Sequence, residues 1–294
     1  MRPRVNRRQV PLGKETAPAG KGAPHRSQEV VPGLTGHAET SSQDVIKRII
    51  TQLADEPNED GQARRVNLPL VRATNAHELA ILLLTRCKTP TAIAHALESS
   101  TSPAVLRKAI HALVDAIAAG EAHVDILLRT LGICAFAPAA AKALCDDDIA
   151  APHVLAAVAS APVAQAVQAE ARFAAVDLLA TLAESTHGRA AVARVRTIPR
   201  IVASALEQAA HTPNDCPTAE LASAALRVAA ASLLCNDGRK AARSRGKPVL
   251  DSATLLRRVI EENSASLPPG TTALLPSVQA IRSLETDLRS LISS

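Results

Sequence analysis

The feature that most constrains this chain is the recurrence of three helical segments at a period of about 50 residues. Each recurrence begins with a short Ala-rich segment, and these start at Pro90, Pro138, Gly188 and Gly238. A second segment with paired apolar residues follows, and then a longer apolar one. A three-helix unit of this kind has two apolar faces and cannot bury both alone. The sequence therefore predicts units that stack on one another around a continuous core.

Composition indicates that the units are helical throughout. Hydrophobic residues make up 47% of the 294 residues, but there is no Trp or Tyr and there are only two Phe, Phe136 and Phe173. A β-sandwich needs aromatic and β-branched residues at alternating positions, and no such run occurs. Ala is the strongest helix former and lets helices approach closely. We therefore expect an all-α fold with a core of Leu, Val, Ile and Ala.

The N-terminal part of the chain differs from the rest. Residues 1–40 are rich in Pro, Gly, Ser and charge, and their seven basic and three acidic side chains supply +4 of the net charge of +5. Such a composition predicts a disordered basic tail. Helices at about 43–54 and 75–87 are expected to form an N-terminal cap over 41–89. The repeats follow over 90–294, with units at about 90–136, 138–185, 188–235 and 237–294, and an amphipathic helix at 277–292 closes the last unit.

The third unit and its flanks carry a resemblance to a known family. The segment ARFAAVDLLATLAESTHGRAAVARVRTIPRIVASALEQ (171–208) has a long helix, a short helix and an apolar Ile-Pro-x-Ile-Val start, and ELASAALRVAAASLLCNDGRKAA (220–242) repeats the pattern. Over about 75–294 the chain resembles the armadillo-repeat family, with HEAT repeats as close relatives. The resemblance implies a right-handed α-solenoid whose long third helices line a concave groove.

The same resemblance suggests which polar residues would face the groove: Asp125, Arg129, Arg172, Asp177, Glu220 and Arg227. Nuclear-import adaptors of this family hold a peptide in the groove on Trp and Asn side chains. Because this chain contains no Trp, we do not expect it to recognise import signals in that manner.

A second candidate surface is basic. The residues Arg189, Arg194, Arg196 and Arg200 recur one unit later as Arg239, Lys240, Arg243, Arg245 and Lys247, and we call this set the basic stripe. Stacked repeats would place it on one side, where it suits an acidic peptide, an anionic lipid head group or nucleic acid. The alternative is a solvated face neutralised by counter-ions. The near-neutral body and the lack of aromatic stacking platforms argue against nucleic acid.

Motifs for chemistry are absent from the sequence. It contains no HExxH, no nucleophile motif, no GxGxxG and no P-loop. The five cysteines have no zinc-site spacing, which favours small buried thiols in a reducing compartment. The run Asp146–Asp148 is expected to cap the following helix, with a cation site beside His153 as the alternative. We expect no enzyme activity, no cofactor, no metal and, because no apolar stretch reaches about 20 residues, no membrane span.

These patterns lead to a binding function. We expect a non-enzymatic scaffold or adaptor that holds a segment of a protein partner, for which an acidic segment is the candidate, in the concave groove. The alternative is a structural subunit of a cytoskeletal, chromatin or ribosome-associated assembly, anchored by the basic tail; a third option is an enzyme subunit without a recognisable motif. The expected location is cytoplasmic or nuclear, and the Arg-rich N-terminus leaves a mitochondrial presequence open.

Limited proteolysis tests the predicted tail. Cleavage should remove residues 1–40 and leave a fragment that starts near Ser41, because a segment without apolar periodicity cannot bury itself. N-terminal sequencing of the resistant fragment gives the boundary. Strong protection of residues 10–35 would contradict the prediction.

Overall fold

The structure of the protein, a computed structural model, describes residues 42–54, 68–161, 166–263 and 267–293. All regular elements in these ranges are α-helices, which confirms the all-α prediction. They are α1 (Ser42–Ala54), α2 (Leu68–Arg86), α3 (Pro90–Ser100), α4 (Pro103–Ala118), α5 (Val124–Cys134), α6 (Pro138–Cys145), α7 (Ala151–Ser160), α8 (Ala166–Glu184), α9 (Thr186–Arg194), α10 (Ile198–His211), α11 (Cys216–Ser232), α12 (Asn236–Arg245), α13 (Lys247–Asn263), α14 (Pro269–Leu274) and α15 (Val278–Ser293). The predicted tail over 1–40 lies outside the described residues.

Proline and hydroxyl side chains set where many of these helices begin. Proline occupies the first turn of α3, α4, α6, α7, α10, α11 and α14, where its fixed φ suits the helix and its missing N–H is not needed. The hydroxyls of Thr89 and Ser102 accept hydrogen bonds from the backbone N–H groups of Ala92 (3.2 Å) and Val105 (3.4 Å). These signals let one helix end and the next begin within a few residues.

Most of the helices pack against the helix three places along the chain, and α3 is an exception. One series of contacts joins α1, α4, α7, α10 and α13. A second joins α2, α5, α8, α11 and α14, which we call the third-position helices, and another joins α6, α9, α12 and α15, the first-position helices. An advance of three helices corresponds to the period of about 50 residues in the sequence. The repeating sequence pattern is therefore matched by a repeating contact pattern.

A single apolar core extends through the described residues from α1 to α15. Its largest fully buried side chains are Ile and Leu, such as Ile46 and Leu144, and Ala fills much of the space between them. Neither Phe side chain is fully buried: Phe173 is half-buried and Phe136 is exposed. The predicted core of Leu, Val, Ile and Ala is confirmed.

A short motif recurs where α8 gives way to α9 and where α11 gives way to α12. Ser185 and Cys235 are the N-cap residues, and they accept hydrogen bonds from the N–H groups of Gly188 (2.9 Å) and Gly238 (3.4 Å). A Cβ atom at either glycine would collide with a backbone carbonyl group of the preceding helix. Only glycine allows the two helices to approach so closely at this turn.

The beginning of α2 differs from the prediction. The helix starts at Leu68, ahead of the predicted start near residue 75. The first buried residues of α2 are Ala73 and Ala76. Because alanine is only weakly hydrophobic, these positions do not stand out as an apolar helical face in the sequence. α2 is the first of the third-position helices among the described residues, and its side chains Leu70 and Leu84 are exposed.

The C-terminal helices also differ from the predicted arrangement. The helix expected to be the third of the last unit is α15, but it packs mainly against α12 and α13, while the short α14 contacts α11. Glu285 on α15 is buried, and Arg257 (2.9 Å) and Arg289 (3.1 Å) each pair with one of its carboxylate oxygens. Sequence polarity alone cannot identify a carboxylate that is buried in this way.

The acidic run between α6 and α7 does not cap α7, contrary to the prediction. The N-cap residue is Ala150, whose φ of 50° lies in the left-handed region and which has no capping side chain. Asp146 and Asp148 instead pair with Arg107 of α4, at 3.3 Å and 3.0 Å. These carboxylates therefore form ion pairs with another helix and do not bind the N-terminus of α7.

Substitution of the junction glycines tests the close approach of the helices. We expect Gly188→Ala and Gly238→Ala each to lower the free energy of unfolding by about 1–3 kcal/mol, because the new methyl group overlaps a backbone carbonyl. The matched control is Gly132→Ala in α5, where nothing lies within 4 Å of the added Cβ and helix propensity should add up to about 1 kcal/mol. Urea denaturation gives the free energies of unfolding. A similar increase in stability for all three variants would contradict the close approach of the helices at Gly188 and Gly238.

Truncation of a core leucine tests the register of the repeats. Leu155 on α7 is only 2% exposed, so Leu155→Ala should lower the free energy of unfolding by about 2–5 kcal/mol. Val202→Ala on α10 should act in the same direction but less, because fewer carbons are lost. Leu234→Ala is the control, since Leu234 is 63% exposed. Equal denaturation midpoints for the parent and both core variants would contradict the register.

Candidate functional site

Two residues of the basic stripe bind the ends of helices. Arg189 on α9 donates from Nε to the carbonyl oxygen of Ala183 (3.2 Å) and from Nη2 to that of Glu184 (3.1 Å). Arg239, at the corresponding place on α12, donates from Nε to the carbonyl oxygen of Leu233 (3.0 Å). The last carbonyls of a helix lack intrahelical donors and carry partial negative charge. Both arginines therefore stabilise the C-terminal ends of the preceding third-position helices.

Four other stripe residues line a cleft between α9 and α12, which we call the α9–α12 cleft. They are Arg194, Arg196, Lys240 and Arg245, and Asp237 is the one carboxylate in its described lining. Arg194 pairs with Asp237 at 3.2 Å, and Nη1 of Arg245 donates to the backbone carbonyl of Arg196 at 3.2 Å. The side chains of Arg196 and Lys240 are exposed and pair with no described residue. The cleft has a volume of about 240 Å³ and an excess of positive charge.

The remaining stripe residues lie outside this cleft. Arg243 on α12 and Lys247 on α13 are exposed and make no ion pair with the residues that the structure describes. Arg200 on α10 lines a different cleft, together with Arg172 of α8. The predicted stripe is therefore divided between at least two surfaces.

Three of the six residues predicted to face the groove form ion pairs between neighbouring third-position helices. Arg129 on α5 pairs with Glu170 on α8 at 2.6 Å. Arg227 on α11 pairs with Asp177 on α8 at 3.1 Å, and also with Glu184 of the same helix. Exposed pairs of this kind contribute about 0.2–1 kcal/mol each. They connect α5 to α8 and α8 to α11, and they leave fewer free charges for a partner.

Two predicted groove residues have other surroundings. Asp125 is half-buried in the first turn of α5, where a carboxylate interacts favourably with the helix dipole. Glu220 on α11 is exposed and lines a cleft of about 470 Å³ that also contains Arg129 and Arg172. Arg172 therefore lies between this cleft and the one that it shares with Arg200.

Two of the thiols are kept protonated at neutral pH. Burial raises the pKa of Cys134 to about 12, and burial followed by the negative charge of Asp146 raises the pKa of Cys145 to about 11. The thiolate is the nucleophile and the metal ligand, so neither residue is an activated cysteine. Cys216 is exposed, which differs from the prediction of buried thiols. Within the described ranges no group of three His, Cys, Asp or Glu residues is placed to hold a metal ion.

The cleft shared by Arg172 and Arg200 was missed by the sequence analysis, which assigned the two arginines to different surfaces. One part of it is readable in the sequence: Arg200, Ser204 and Gln208 are four residues apart, and this spacing places them on one face of α10. The contribution of Arg172 from α8 is set by the packing of two helices, and no local pattern signals it.

In the described ranges no single helix is long and apolar enough to cross a membrane. Taken together, α11 and α12 have the length and apolar character of a membrane span, but the two helices are bent by 114° relative to each other.

Comparison with known proteins gave no match to a family model, a curated protein or a solved structure. The candidate surfaces are therefore defined by the geometry of the described residues.

Proposed function

We propose that this chain is a non-enzymatic scaffold or adaptor that holds an acidic segment of a protein partner in the α9–α12 cleft. The observation that carries the proposal is the charge of this cleft, in which four basic side chains, from α9, the turn that follows it and α12, line the surface together with one carboxylate. A cleft lined mainly by one sign of charge attracts a segment of the opposite sign and raises its rate of association.

The architecture that we propose is a right-handed α-solenoid of armadillo-like three-helix repeats. Two observations support it: helices contact the helix three places along the chain, and the N-cap-x-x-Gly-Arg junction recurs before α9 and α12. In a solenoid, neighbouring units present the same chemical groups side by side along an extended surface. An extended acidic segment can then contact α9 and α12 together.

The α9–α12 cleft is a better candidate than the groove, since charges that already pair within the protein must lose those pairs before they bind a partner. Arg129 and Arg227 in the groove have carboxylate partners. Arg196 and Lys240 in the cleft have none among the described residues. We therefore place the partner on the first-position helices, and we propose a cytoplasmic or nuclear location for the protein.

Charge reversal in the cleft tests the proposal. We expect Arg196→Glu with Lys240→Glu to weaken binding of a fluorescein-labelled peptide rich in Asp and Glu at least about tenfold, or about 1.4 kcal/mol. The unfolding midpoint should stay at that of the parent, because neither side chain pairs with a described residue. Fluorescence anisotropy measures the affinity, and for the parent it should fall as salt is added.

Two further variants separate local from general charge effects. Lys88→Glu with Lys108→Glu makes the same change in net charge at exposed positions away from the cleft, and it should bind like the parent. A variant with Arg2, Arg4, Arg7 and Arg8 changed to Glu tests the tail. Undiminished binding by the cleft variant would refute the proposal, and a loss confined to the tail variant would favour the assembly-subunit alternative.

A further inference from the structure

A second cleft, between the end of α7 and α10, contains two arginines and no carboxylate in its described lining. Arg172 comes from α8 and Arg200 from the first turn of α10, and the other polar side chains are those of Ser160, Ser204 and Gln208. The cleft has a volume of about 420 Å³, which lies in the range of small-molecule sites. Two guanidinium groups at one opening make it a positively charged pocket.

Arg172 is half-buried, and its hydrogen-bond partners are neutral. Its Nη1 donates to Oε1 of Gln208 at 3.0 Å and its Nη2 donates to Oγ of Ser204 at 3.2 Å. Its Nε is buried and has no acceptor in the part of the chain that the structure describes. Each Nη carries a second hydrogen, and the Ser204 hydroxyl still has its own proton to donate. Donors therefore remain for a ligand in the cleft.

The carboxylates on the adjacent helices do not pair with the two arginines of this cleft. Glu170 pairs with Arg129 at 2.6 Å, and Glu207 lies 4.0 Å from His211. The sequence of 162–165, which connects α7 to α8, contains no acidic residue. Arg200 is exposed and pairs with no described residue. Asp215 and Glu220 line the neighbouring cleft that Arg172 also lines, but within the described ranges neither Arg172 nor Arg200 forms an ion pair.

Arg227 provides a comparison for Arg172, because both guanidinium groups are partly buried. At Arg227 burial lowers the pKa, but the carboxylates of Glu184 and Asp177 outweigh it and the pKa is raised. At Arg172 burial lowers the pKa and no carboxylate opposes it. A charge that is partly desolvated without a partner is destabilising. An anion bound beside Arg172 would remove that destabilisation.

We propose that this cleft binds a phosphate group, held between the guanidinium groups of Arg172 and Arg200 with the hydroxyls of Ser160 and Ser204 as further donors. A phosphate monoester is close to dianionic at neutral pH and offers three terminal oxygens, which match two positive charges and several donors. Guanidinium groups bind such oxygens through parallel hydrogen bonds. A carboxylate carries a single charge and would neutralise only one of the two arginines. This site is separate from the α9–α12 cleft and does not rest on the function proposed above.

Thermal unfolding of the full chain tests the site with inorganic phosphate as the probe. Phosphate should raise the unfolding midpoint of the parent above its value in chloride at equal ionic strength, because a ligand that binds only the folded state stabilises it. Arg200→Gln should reduce this rise to the smaller, non-specific stabilisation that excluded phosphate gives any folded protein. It should keep the midpoint of the parent in chloride, since Arg200 pairs with no described residue. Arg196→Gln, which removes an exposed arginine from the other cleft, is the matched control and should keep the rise. No rise in the parent, or an equal rise in Arg200→Gln, would overturn the proposal.

A labelled phosphoserine peptide and its serine counterpart distinguish the sources of the phosphate. We expect inorganic phosphate to displace the phosphoserine peptide, and we expect both Arg172→Gln and Arg200→Gln to weaken its binding by about tenfold or more. If the peptide binds more tightly than inorganic phosphate, the ligand is a phosphorylated segment of a partner; equal affinity indicates free phosphate or a small phosphate ester. Serine and phosphoserine peptides of equal affinity would refute the site. Binding that survives Arg196→Glu with Lys240→Glu separates this result from the test of the α9–α12 cleft.

Discussion

Apolar faces on both sides of each three-helix unit are the constraint on which the rest of the structure depends, because the second face is buried only when the next unit packs against it. The contacts between helices three places apart supply that burial. They require short distances between backbones, which alanine in the core and glycine at the junctions permit. At Gly188 and Gly238 a single added carbon would meet the backbone of the preceding helix, so the stacking depends on the absence of a side chain at two equivalent turns.

Stacking also decides which charges remain available. Arg189 and Arg239 are held by the carbonyl groups at the ends of α8 and α11, so one class of basic residue is structural in two successive units. Arg227 joins adjacent third-position helices through carboxylates. Among the residues of the basic stripe, those without an internal partner include Arg196, which lines one cleft, and Arg200, which lines another. Free charge, rather than total charge, therefore marks the candidate binding surfaces.

The two clefts differ in chemistry although both are positive. The α9–α12 cleft is open, contains Asp237 and is formed by equivalent helices of adjacent units, which suits an extended acidic segment that crosses several units. The cleft of Arg172 and Arg200 has no carboxylate in its described lining and includes a partly buried guanidinium group, which suits one compact anion. A phosphorylated acidic segment would offer carboxylates to the α9–α12 cleft and a phosphate group to the cleft of Arg172 and Arg200. Variants of each cleft distinguish the two contributions to binding.

The sequence by itself determined the all-α class, the aliphatic core and the period of the helices, because these follow from composition and from local signals such as the proline in the first turn of α10. It also identified the basic residues of α9 and α12. Only the tertiary structure decided the partners of the charged residues: Asp146 pairs with Arg107 instead of capping α7, and Glu285 is buried between two arginines. It likewise placed Arg172 and Arg200 in the lining of one cleft. The reason is physical, since helix formation depends on neighbours within about four residues, whereas charge pairing depends on distance in space, which the packing of remote helices sets.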